Sequence, residues 1–136
     1  MKNLAMGMAL LVMSASAAHV EVFPQVFDAG GWKLDVQFMD VMGLPYLPVP
    51  AAGRYRLLGR APYSNWAKPG SVTTLELVSG KTVRSLTIDQ AVNGGQWNEI
   101  GVFDLEPGAT LRIVGAKSRG TVIADGFALV RSEALR

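Results

Sequence analysis

The sequence predicts an all-β, antiparallel sandwich or barrel, and three observations carry that expectation. From Val20 onward, short segments rich in Val, Ile, Leu, Thr and aromatic residues are separated by Gly, Pro, Asn and Asp. Many short strands at this spacing are the pattern of two packed antiparallel sheets. Side chains also alternate with period two. In "RYRLLGR", Tyr55 and Leu57 share one face while Arg54 and Arg56 share the other, and in "LRIVG", Leu111 and Ile113 oppose Arg112. Finally, no segment after the first eighteen residues sustains an apolar period of 3.6 over several turns.

The elements follow in order. Residues 1–18 read as a cleavable, helical signal peptide: Lys2 gives a positive start, residues 4–13 an apolar run, and Ala15-Ser16-Ala17-Ala18 a small-residue cleavage site. The apolar run is too short for a bilayer core of about 30 Å, so export without membrane insertion after processing is expected, to a secreted or periplasmic location. The lone His19 falls at the processing site and reads as a terminal residue. Residues 19–136 then form a single sandwich domain. Strands are predicted at 20–27, 33–38, 53–60, 73–78, 82–88, 97–103, 110–114 and 121–130. Turn signals lie between them at 29–31, 45–50, 68–70, 79–81, 93–95, 106–108 and 119–120.

Composition removes several classes of function. With no cysteine there is no disulfide framework, thiolate metal site or cysteine nucleophile. The 49% hydrophobic content is enough for a core without such staples. The 13 Lys and Arg stand against 11 Asp and Glu, and Lys2 leaves with the leader, so the processed domain is nearly neutral. Its basic residues are scattered, which argues against a nucleic-acid partner.

Three stretches bring a family into view. "VPAAGRYRLLGRAPYSNWA", "VRSLTIDQAVNGGQWNEIGVFDLEPG" and "GTVIADGFALV" resemble the golvesin and xanthan-lyase carbohydrate-binding-like domain. There an "AGxYxV" strand precedes an "SN" loop, a "VxVDQxxNGGQW" hairpin and a closing "VxADAVxF" strand. The order and spacing match over about residues 50–130. "GGWKLDVQFMDVMGLPYL" is similar to the opening of a sandwich appended to secreted FAD-dependent oxidoreductases. The resemblance implies a jelly-roll-like β-sandwich that serves as an accessory domain of extracellular or polysaccharide-active proteins. No G-x-G-x-x-G flavin fingerprint occurs in this chain.

Candidate site residues form three groups. The first is aromatic: Trp32, Tyr46, Tyr63, Trp66 and Trp97, nearly all beside turns. Sugar C–H faces stack on flat rings, and Gln37, Asp40, Asn65, Gln96 and Asn98 offer hydrogen bonds to hydroxyls. Trp66, in the polar loop "PYSNWAKPG", reads equally as a ligand contact or a packing residue. Trp97 reads first as a core residue for which Gly94 and Gly95 leave room, and second as a ligand contact. Trp32 and Tyr46 lean structural.

The second group is acidic. Asp125 interrupts the apolar face of Ile123, Phe127 and Leu129, so it needs a cation, backbone donors or exposure at a sheet edge. Hydrogen bonding to backbone is the favoured reading. Carbohydrate-binding jelly rolls often hold a structural calcium between their first and last strands, and Glu21 with Asp125 would be its carboxylates. Asp35 and Asp40 complete this group, and the same carboxylates could be cast as a glycosidase acid and base, but neither a separation across a cleft nor a raised pKa is readable from sequence. The third group, Arg54, Arg56 and Arg60, reads as a solvated face, with recognition of an acidic polysaccharide as the alternative. No Ser-His-Asp or metal–histidine pattern exists.

The expected function is an exported, non-catalytic module that binds carbohydrate or cell-surface polysaccharide through Trp66, Tyr63, Asn65, Gln96 and Trp97. A separately encoded enzyme is a second candidate partner. The alternative is a structural or protein-interaction sandwich with no sugar site.

Overall fold

The computed structural model describes residues 25–61 and 67–132. Eleven strands are found there, with a 3₁₀ turn at Gly115–Lys117. The strands are β1 (Gln25–Asp28), β2 (Lys33–Val36), β3 (Phe38–Met39), β4 (Pro45–Tyr46), β5 (Gly53–Arg60), β6 (Thr73–Ser79), β7 (Thr82–Ile88), β8 (Asn98–Leu105), β9 (Thr110–Val114), β10 (Thr121–Ala124) and β11 (Gly126–Arg131).

They form a β-sandwich. One sheet has the order β4-β3-β11-β5-β8, the other β2-β9-β6-β7, and β1 pairs with β10 in a two-stranded ribbon. All pairings are antiparallel except β3 with β11. The chain changes sheets at Gln37, between β2 and β3, and leaves the ribbon for the five-stranded sheet at Asp125. The predicted strands at 33–38 and 121–130 are therefore each two strands with different partners.

The period-two alternation places the core between the sheets. Tyr55, Leu57, Phe127 and Leu129 from the five-stranded sheet meet Leu75, Leu77, Leu111 and Ile113 from the other. β8 contains a bulge: Leu57 pairs with Gly101 and Leu58 with Glu99, so Ile100 is the extra residue. The bulge lets Ile100 and Phe103 both pack against the core although their spacing is three.

Buried polar side chains fasten Ser71, β6 and Gln90 to the segment 114–123. The Ser71 hydroxyl accepts the Thr121 N–H at 2.9 Å, and the Ser118 hydroxyl accepts the Thr74 N–H at 3.0 Å. Gln90, which is 5% exposed, acts as a strand in miniature. Its Oε1 accepts the Ile123 N–H at 2.8 Å, its Nε2 donates to the Ile123 carbonyl at 2.7 Å, and the Thr73 hydroxyl donates to the same Oε1 at 3.0 Å. Each bond pairs a group whose burial without a partner would cost about 1–3 kcal/mol.

Candidate functional site

The "NGGQW" stretch folds into a loop braced at both ends. Asn93 (φ 55°) and Gly95 (φ 81°) adopt the left-handed region that Asn and Gly tolerate best. The Gly95 N–H donates to the Ala61 carbonyl at 2.7 Å. The Asn98 side-chain amide donates to the carbonyls of Asn93 at 3.0 Å and Gln96 at 3.3 Å. Asn98 is thus spent on holding the loop, while Gln96 remains exposed.

Trp97 is half-buried and lies outside the inter-sheet core. Phe127 and Leu129 face the core, so Gly126 and Ala128 face outward on β11, and it is Gly126 that the indole covers. A methyl placed on Gly126 would lie 3.1 Å from the ring's Cη2 and 3.1 Å from the Met39 Cε. Part of the room for the ring is therefore made by Gly126, which the sequence places far from Trp97 and the sheet brings beneath it. The indole nitrogen has no hydrogen-bond partner among the described residues.

Tyr63, Asn65 and Trp66 lie outside the described residues, as does Glu21. The flanks of their segment are described: Ala61 and Ala67 are buried together with Ile123, next to Ala91. Since Ala61 also receives the Gly95 N–H, the "NGGQW" loop is anchored at the point where segment 62–66 begins.

Asp125 sits at the break between β10 and β11, half-buried. Burial raises its pKa, and the nearby Arg60 charge partly opposes the shift. No hydrogen bond to its carboxylate is found among the described residues, where it is partly exposed and feels the Arg60 charge. No group of three or more His, Cys, Asp or Glu able to hold a metal exists among the described residues. Of the two carboxylates expected to hold calcium, Glu21 lies outside the described residues, and Asp125 has the Arg60 charge nearby.

The other candidates have structural occupations. Trp32 stacks on Phe27 with ring centroids 4.8 Å apart, donates Nε1–H to the Asp28 carbonyl at 3.0 Å and lies on Gly115. The Tyr46 hydroxyl donates to the Leu129 carbonyl at 2.6 Å. Asp40 builds the β3–β4 turn, its Oδ1 accepting the N–H groups of Met42 at 2.8 Å and Leu44 at 3.0 Å. Asp35 lies on the exposed face, 3.5 Å from the Arg112 Nε, a spacing that makes an ion pair without a hydrogen bond. Arg54 and Arg56 pair across the sheet with Asp104 at 3.1 Å and Glu99 at 2.6 Å. Exposed pairs of this kind contribute about 0–1 kcal/mol each. Gln37 is exposed.

Two features of this region carry no signal in the sequence, Gly126 as the floor beneath Trp97 and Met39 beside it, and the pairing of Gln90 with Ile123 is equally unreadable there. Each depends on which strands become neighbours.

No protein-family model matches the chain, and no curated protein matches it. Among solved structures, the xanthan lyase of Paenibacillus is similar at 26% identity and a TM-score of 0.50. The match covers 64% of this chain and 8% of the lyase chain, so this chain corresponds to a small part of that protein. The similarity supports a related β fold.

Proposed function

We propose that this protein is an exported, non-catalytic module that binds carbohydrate on the outer face of its five-stranded sheet, where the "NGGQW" loop meets β11. The observation that carries this reading is Trp97: a half-exposed indole on a glycine floor, outside the core, with its N–H unpartnered among the described residues. A ring in that position offers a stacking surface and a donor at once, as a sugar requires. Gln96 adds an exposed amide, and Tyr63, Asn65 and Trp66 belong to the segment that starts from the same anchor at Ala61. The small part of a polysaccharide lyase to which the chain is similar agrees with an accessory role. Isothermal titration against a panel of polysaccharides and their oligosaccharides tests the reading. Binding to one of them, weakened at least tenfold in Trp97→Ala with the fold intact, is the expected result. Absence of binding across the panel overturns it.

One observation favours a second reading, a protein-interaction domain. The β3–β4 hairpin exposes Met42 (81%), Leu44 (64%) and Val41 (55%) on a turn that Asp40 holds in place. Cross-linking that traps a protein through this hairpin, together with no glycan binding, would favour it.

A further inference from the structure

The sandwich has an open flank where β7 ends one sheet and β8 ends the other. Arg84 occupies an inward register position on β7, directly opposite the buried Leu77 on β6. Alternation calls for an apolar side chain there. The chain instead sets a guanidinium in the gap, 5.8 Å from the centroid of the Phe103 ring on β8. Arg84 makes no ion pair or hydrogen bond among the described residues. Its five N–H donors are therefore unengaged.

Around it lies a cleft of about 90 Å³, lined by Leu77, Ser79, Thr82 and Arg84 from one sheet and Asp104, Leu105 and Glu106 from the other. The cleft is built at one end. The Glu106 N–H donates to the Ser79 hydroxyl at 2.9 Å, and the Glu106 carboxylate lies over Gly80, whose φ of 58° and missing side chain make that approach feasible. Asp104 is held ionised by its hydrogen bond to Arg54, by the Arg54 charge and by Arg84. The lining thus carries Arg84, whose guanidinium has no hydrogen-bond partner among the described residues, and two carboxylates, of which Asp104 already pairs with Arg54.

That charge pattern selects the ligand. A carboxylate or phosphate drawn to Arg84 meets Asp104 and Glu106, and a cation drawn to those carboxylates meets Arg84. A pair of neighbouring hydroxyls satisfies both, accepting from the guanidinium while donating to the carboxylates. Size limits what enters. The cleft is smaller than the roughly 150 Å³ cavity that takes up a benzene ring, so it admits the edge of one ring rather than a length of glycan. The geometry points to this flank as a second binding site, which takes the vicinal diol of a neutral terminal or branch sugar between Arg84, Asp104 and Glu106. The inference rests on the carbohydrate reading above, but at a different face of the molecule.

The test is an NMR titration of the isotope-labelled protein with methyl glycosides of the common neutral hexoses, following the Arg84 Nε–H and the Phe103 ring signals, with sodium acetate as a separate arm. Expected are saturable shifts at Arg84 and Phe103 with at least one glycoside and none with acetate. Binding should weaken at least tenfold in both Arg84→Met and Arg84→Lys, the second keeping the charge but losing the planar fork, and should be unchanged in Trp97→Ala. Arg84 shifting with acetate but with no glycoside overturns the inference. Shifts at Trp97 alone overturn the second site while leaving the proposed function standing, and no shift anywhere with any glycoside or glycan removes both.

Discussion

Trp32 and Trp97 each lie on a glycine, Gly115 and Gly126, yet the two regions use the ring differently. Trp32 is consumed by the fold: it packs against the main core cluster, stacks on Phe27 and gives its N–H to Asp28. Trp97 covers the outside of a sheet, leaves its N–H unclaimed among the described residues and stands beside the exposed Gln96. A glycine floor is common to both, so it does not mark function. The distinction lies in whether the polar end of the indole has a partner within the fold.

Breaking each region should expose that difference. The largest effect is expected for Trp32→Ala, a loss of about 3–5 kcal/mol from a large ring joined to the core, measured by urea unfolding. Trp97→Ala should cost about 1 kcal/mol or less, since the ring is half-buried and lies outside the inter-sheet core. Equal costs would erase the contrast.

Gln90→Leu comes next. It keeps roughly the volume but strands the Ile123 N–H and carbonyl and the Thr73 hydroxyl, for an expected loss of about 3 kcal/mol. It shows whether the base beneath the Trp97 loop is as firmly fixed as the Trp32 region. A loss near zero would mean that water replaces the amide.

The glycines sharpen the comparison further. Gly115→Ala drives a methyl into the Trp32 indole, which its neighbours hold in place, and should cost about 1–3 kcal/mol. Gly126→Ala meets the half-buried Trp97 ring and the flexible end of Met39, each at 3.1 Å, so the cost should be under about 1 kcal/mol while glycan affinity falls. The reverse order in thermal unfolding would contradict the assignment of roles.

The smallest effect concerns Asp125. Burial raises its folded pKa above the ordinary 3.8, so protonation favours the folded state. Its contribution is fully present below pH 3.8 and is lost as pH rises through the raised value. Asp125→Asn should therefore stabilise the protein slightly at pH 7, with the gain shrinking as the pH is lowered toward 3.8. A gain that grows on acidification would show that Asp125 instead has a partner favouring its charge.

Much of the sandwich was legible because local rules fixed it. Residues 53–60, 82–88 and 110–114 are bounded by Gly, Pro or Ser turns and are rich in β-forming residues, and the structure places β5, β7 and β9 on those residues. β4 escaped notice because it is two residues long within a proline-rich stretch. The break at Asp125 left a trace, a carboxylate on an apolar face, but a strand that changes partners looks continuous from its own residues. The candidate site was legible as a loop with a tryptophan and not as a surface. The floor under Trp97 comes from β11, and Gln90 pairs with Ile123, 33 residues away, so neither is encoded near the residues it serves.

The central claim is that Trp97 is a sugar platform and not a structural ring. Titration of the wild-type and Trp97→Ala proteins with the same polysaccharide panel, each checked for an unchanged unfolding midpoint, addresses it most directly. The account predicts a glycan bound by wild type and at least tenfold more weakly by a Trp97→Ala protein whose stability is nearly unaltered. Equal glycan affinity in the two proteins would contradict it.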